Sequence, residues 1–284
     1  MIPQYLVRPP TARRASAHRD AVAYHNMTES HPPRSLPRSR FAQELARFPG
    51  TILTPEPISQ YASHWPNLFR QRMGATFDGR ITLEIGCFDA EFLCRAAVQH
   101  PTRAFIGVDW KARAIVTGAQ RIEQLNLPNI LLMRQRGQEI ARLFSPRQLH
   151  QIWILHPDPF AAENEIAQRL VSPQFLIDAH QMLASAESRL VLKTDHAEYA
   201  RSTLALLDQP TIATLWKCRT HSADFWNDPI ARAAAESAGY SGHPTRFERR
   251  FLQKNLPIHL IELSPHSATS GADILVCPEK PSQE

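Results

Sequence analysis

Cysteine is scarce in this chain of 284 residues. The four present, Cys87, Cys94, Cys218 and Cys277, lie too far apart to form a metal-ligand cluster or a short disulfide framework. A reducing, cytoplasmic compartment is the expectation. Long apolar runs are missing as well. No stretch approaches the roughly 18 to 20 apolar residues a membrane-spanning helix needs, and the first 30 residues lack the apolar core of a secretory signal, so a soluble protein is expected. Acids are nearly absent from residues 1–40, where seven arginines and no lysine face only Asp20 and Glu29. That segment therefore carries the whole net charge of +5, and the rest of the chain sums to zero. A basic tail of this kind suits either an anionic partner such as RNA or an inert solvated extension.

What is there suffices for one sizeable core: 43% of residues are hydrophobic and 21% charged. Residues 1–40, rich in Arg, Pro and Ser, lack apolar periodicity and are expected to be disordered, and their prolines argue against an amphipathic transit helix. Residues 41–263 form the expected domain, and residues 264–284 a flexible tail. Within the domain, short apolar and β-branched runs alternate with segments of helical period, which predicts a parallel sheet covered by helices. The predicted strands start at Ile81, Ala104, Asn129, Gln151 and Arg189, with two more at Thr211 and Pro257 around a long polar insertion. The pattern predicts an α/β fold, a doubly wound, seven-stranded, mostly parallel Rossmann-like sheet.

Ligands of such sheets bind past the carboxyl ends of the strands. The first strand ends in Glu84-Ile85-Gly86, where Gly86 permits a sharp turn and close approach of a cofactor, or simply a structural βα turn. Asp109 ends the second strand and suits either ribose hydroxyls or the cap of the next helix. The fourth strand ends in His156-Pro157-Asp158-Pro159-Phe160, in which two prolines lock the backbone around one carboxylate beside an aromatic ring. A rigid loop is the plainer alternative. Asp195 ends the fifth strand, His196 suits a helix start better than a base, and the insertion brings Thr245-Arg246-Phe247-Glu248-Arg249-Arg250 to the same rim.

In this order the motifs resemble the bacterial tRNA (guanine-N(7)-)-methyltransferase family, from about Tyr61 to Leu263. The likeness lies in LEIG, GVD, PDPF for the family's PDPW, TDHAEYA for its TDWxxYA, and TRFERR for its TKFExR. It implies a class I methyltransferase fold with S-adenosyl-L-methionine held at Glu84, Gly86 and Asp109. It also implies a catalytic carboxylate at Asp158, and guanine or tRNA contacts at Asp195, Thr245, Arg246, Phe247 and Glu248. This chain departs from the pattern at Phe88 and Ala90, where glycines are usual, and at Arg136, which takes the place of the acid beside the adenine. Ala162 replaces a lysine in a stretch that is strongly basic in the family. Three readings follow: a tRNA guanine methyltransferase aided by its tail, a methyltransferase redirected to another substrate, and a binding protein that has lost the cofactor. Monomer and homodimer are both open.

Overall fold

The computed structural model describes residues 38–53, 64–240 and 242–266. Apart from residues 38–40 and 264–266, the expected tails lie outside them, as do Tyr61 and Cys277. After α1 (Arg38–Ala46) and β1 (Ile52–Leu53), helix α2 (Trp65–Met73) leads into the regular alternation. This runs β2 (Ile81–Ile85), α3 (Glu91–Gln99), β3 (Ala104–Asp109), α4 (Ala112–Gln124), β4 (Ile130–Arg134) and β5 (Gln151–Leu155). Then come α5 (Pro173–Met182), β6 (Arg189–Thr194), α6 (Ala197–Leu206), α7 (Pro210–Leu215), β7 (Trp216–Ser222), α8 (Pro229–Ala238), α9 (Arg246–Leu252) and β8 (His259–Pro265).

The strands form one sheet in the order β1-β4-β3-β2-β5-β6-β8-β7. From β1 to β6 all pairs are parallel, while β8 runs antiparallel between β6 and β7. Every residue of β2, β3 and β5 is buried, as expected where helices cover both faces. Alternate residues feed two cores. Ile81, Leu83, Ile106, Ile152 and Ile154 join Trp65 and Phe69 on one face; Phe105, Trp153 and Val191 meet Leu93 and Ile115 on the other.

Two expectations are corrected. The sheet has eight strands rather than seven, because Ile52 and Leu53 pair with Leu132 and Met133 at its edge. The strand expected from Thr211 begins only at Trp216; Pro210 stands at the start of a short helix, where its fixed φ and missing N–H favour a first turn. Among the described residues no helix is long and apolar enough to cross a membrane.

Candidate active site

From β2 the sheet order runs to β3 on one side and to β5 on the other, so a crevice opens past the carboxyl ends of β2 and β5. The chain leaves β2 with φ of +83° at Gly86, +49° at Phe88 and +53° at Ala90. Phe88 and Ala90 thus adopt the left-handed backbone that glycine would take without strain, at about 1–2 kcal/mol each. Hydrogen bonds hold the turn against that cost. Val108 O accepts the N–H groups of Gly86 (2.7 Å) and Cys87 (3.1 Å), and Cys87 O accepts that of Ala90 (2.8 Å). Asp109 Oδ2 accepts the Phe88 N–H at 3.0 Å, while its Oδ1 accepts the Lys111 N–H at 2.8 Å, so this carboxylate ties together the turns after β2 and β3.

Glu84 lies in the same cluster, buried, with Oε2 lacking any hydrogen-bond partner. Burial, and then the charges of Asp109 and Asp89, push its carboxyl up to about 8. Burial also raises Asp109, against the pull of the Lys111 and Phe88 amides and with a small contribution from Asp158. Helix α3 starts at Ala90 without a side-chain cap, which leaves its first amides for an anion. S-adenosylmethionine fits this donor set: an unpartnered buried oxygen for its ammonium, a carboxylate for its ribose hydroxyls and helix amides for its carboxylate. Arg136 is exposed at the start of a 3-10 turn, Gly137–Leu143.

Across the crevice, β5 ends in the His156 to Phe160 turn, with left-handed φ at His156 (+55°) and Phe160 (+42°) and an exposed Asp158. Arg169 pins this turn by donating from Nε to Pro159 O at 2.8 Å and from Nη1 to Ser202 Oγ at 2.7 Å, with its guanidinium 5.0 Å from the Tyr199 ring centre. Asp195 follows β6, its Oδ1 3.3 Å from His156 Nδ1. Burial pushes Asp195 up, but the hydrogen bond with His156 outweighs it and holds the carboxyl below its ordinary value. His196 caps α6, accepting the Tyr199 N–H on Nδ1 at 3.2 Å.

The insertion closes the site from above β2 and β6. Thr245 and Glu248 form a capping box at the start of α9: Thr245 Oγ1 accepts the Glu248 N–H at 3.1 Å, and Glu248 Oε2 accepts the Thr245 N–H at 2.6 Å. Glu248 is fully buried and bonded to Lys193 Nζ at 3.1 Å, with Trp226 Nε1 donating to the same oxygen at 3.3 Å. Burial opposes its ionisation and Lys193 overcomes that, holding Glu248 below its ordinary value. The side chains of Thr245 and Glu248 are both buried, and their capping box fixes the start of α9. Arg246 reaches Asp89 (2.6 Å) and Glu91 (3.2 Å), with its guanidinium 5.7 Å from the Phe88 ring centre, and Phe247 is partly buried beside His156.

A family described as "Putative methyltransferase" matches residues 78–259, which span the whole of this site. The chain belongs to that family. The tRNA (guanine-N(7)-)-methyltransferase of Cytophaga hutchinsonii is 26% identical over 73% of this methyltransferase and 87% of its own length. The tRNA (guanine-N(7)-)-methyltransferase of Bacillus licheniformis is 23% identical over 74% and 89%. The solved 16S rRNA methyltransferase KamB matches 69% of this chain and 92% of its own at 16% identity, with a TM-score of 0.46.

Arg121 of α4, which reaches Asp89 at 3.3 Å, escaped the sequence reading, while Arg249, already placed at the rim, reaches Glu91 at 2.7 Å. Lys193, a lone cation inside the apolar run of β6, was the one visible signal that a buried counter-charge had to exist.

Proposed function

We propose that this chain transfers a methyl group from S-adenosylmethionine to N7 of a guanine in tRNA. The observation that carries this reading is the meeting of the Asp158 turn, Asp195 and α9 around the crevice beside the Glu84–Asp109 cluster. Relatives that bear this activity in their names match over most of their length. When bound, the cofactor supplies a methyl group on a positively charged sulfur. Glu84, Gly86, Asp109 and the first amides of α3 hold it, and Arg136 stands on the adenine side.

Guanine N7 carries a free lone pair, so no strong base is required and positioning supplies most of the acceleration. Asp158, exposed at the tip of a turn locked by two prolines and Arg169, faces the reacting groups with a fixed negative charge. It orients the base and does not remove a proton. Asp195 accepts hydrogen bonds from the guanine edge, and Arg246 and Phe247 contact the tRNA from a helix fixed by Thr245 and Glu248. Residues 41–284 are neutral as a whole, so the arginines of residues 1–40 supply the electrostatic affinity for RNA.

The test is incubation of the full chain with bulk tRNA and radiolabelled cofactor, followed by nucleoside analysis for 7-methylguanosine. Cofactor binding by calorimetry without tRNA methylation points instead to a redirected methyltransferase. The acidic stretch after Phe160, with Glu163 and Glu165 in place of a basic run, favours that second reading. No cofactor binding at all identifies a binding protein.

A further inference from the structure

His156 links three parts of the site. Its N–H donates to Lys193 O at 2.8 Å, so the backbone is still anchored to β6 where β5 ends. The left-handed φ at this residue then turns the ring away from the strand direction. The ring packs against Phe251, with centres 6.0 Å apart and planes 19° apart, and against Phe247 at 6.1 Å and 31°. Its side chain is 4% exposed, and Nδ1 meets Asp195. Nε2 is buried with no partner. A nitrogen in that position is tolerated better as a bare acceptor than as an unsatisfied donor. The proton therefore sits on Nδ1, donated to Asp195.

We propose that His156 is a positioning residue that aims the Asp195 carboxylate at the substrate guanine, with its own ring set by Phe247 and Phe251 of α9. The inference rests on Asp195 being the guanine contact. Oδ1 is taken by His156, so Oδ2 is left to accept from the base. The packing of α9 against the imidazole then couples the seating of that helix to the direction of the carboxylate. His196 on its own turn and His259 on β8 also act on Asp195 electrostatically, and Glu248 on α9 faces His156.

The test compares His156→Phe, which keeps a ring between the two phenylalanines but removes the donor, with His156→Asn, whose side-chain amide can replace Nδ1–H. Loss of a hydrogen bond to a charged group predicts a rise of about tenfold in KM for tRNA for His156→Phe. Cofactor affinity should stay within about twofold, and His156→Asn should recover most of the loss. In an Asp195→Asn background the further effect of His156→Phe should vanish, since both changes act through one carboxylate. A His156→Phe variant with unchanged KM, or with an undiminished effect in that background, overturns the proposal.

Independently of activity, the 13C signal of the Asp195 carboxyl should titrate at higher pH in His156→Phe than in the parent; an unmoved titration overturns the coupling. If the parent makes no 7-methylguanosine, the tRNA reading fails while this titration still decides whether His156 holds Asp195. His156→Leu serves the same comparisons should the phenylalanine variant not fold.

Discussion

The Arg246 guanidinium reaches back 157 residues to the Asp89 carboxylate, with Nη2 2.6 Å from Oδ2. This pair joins the late insertion to the turn that follows the first long strand of the sheet. Arg121 holds the same carboxylate from α4, and together the two cations, against burial, keep Asp89 below its ordinary value.

Arg246→Ala should loosen α9 over the turn without unfolding the protein. Arg246 is half-exposed and Asp89 keeps Arg121, so the stability loss should stay under about 1 kcal/mol. Methylation of tRNA should fall several-fold in kcat/KM. Thermal denaturation and steady-state kinetics check both halves, and a variant unfolded at 25 °C contradicts the peripheral role.

Phe88→Gly should stabilise the protein. Glycine takes φ of +49° without strain, a relief of about 1 kcal/mol, against loss of a part-exposed ring and its contact with Arg246. A net gain of roughly 0.5 kcal/mol should appear as a higher urea midpoint. A lower midpoint means that ring packing outweighs the backbone term.

Glu84→Gln should separate from the parent as pH rises. The folded protein holds a proton on Glu84 up to about 8, against an ordinary value of 4.5. The stability linked to that proton is complete below pH 4.5 and is lost as pH rises toward 8. Glutamine cannot ionise, so without cofactor the variant should gain on the parent by on the order of a few kcal/mol at pH 8 and by almost nothing at pH 4. Urea denaturation at the two pH values measures the gap. Cofactor affinity should fall, since glutamine cannot give up a proton to meet the ammonium as a carboxylate.

Glu248→Ala leaves Lys193 buried among Phe225 and Trp226 without a carboxylate, which should cost about 3–5 kcal/mol. Pairing it with Lys193→Met should restore most of the loss in denaturant titrations. A lone Glu248→Ala variant as stable as the parent would falsify the buried pair as the anchor of α9.

Asp158→Asn keeps the shape of the turn and removes its charge. Turnover with tRNA should drop about tenfold or more while cofactor affinity holds. Full activity removes Asp158 from the proposed role.

Much of the fold was legible because strand and helix periods differ and because strands buried on both faces read as continuous apolar runs. Ile81–Ile85, Ala104–Asp109 and Gln151–Leu155 stand where those runs place them. The two-residue β1 was too short to carry a period, and the run from Thr211 opens as the short helix that Pro210 starts and turns to strand only at Trp216. Of the site, the strand-end residues Glu84, Asp109, Asp158 and Asp195 follow from topology, since a doubly wound sheet gathers its carboxyl ends.

The sequence by itself determined the alternation of strands and helices from Ile81 to Thr194, the neutral charge of residues 41–284 and the location of the crevice. Only the tertiary structure decided what each polar group there does. A capping box hides Thr245 and Glu248, Phe88 and Ala90 are held left-handed by bonds to Asp109 and Cys87, and His156 meets Asp195 across 39 residues. Those outcomes depend on which buried charge finds which partner, a contest between desolvation and pairing that spacing along the chain does not encode.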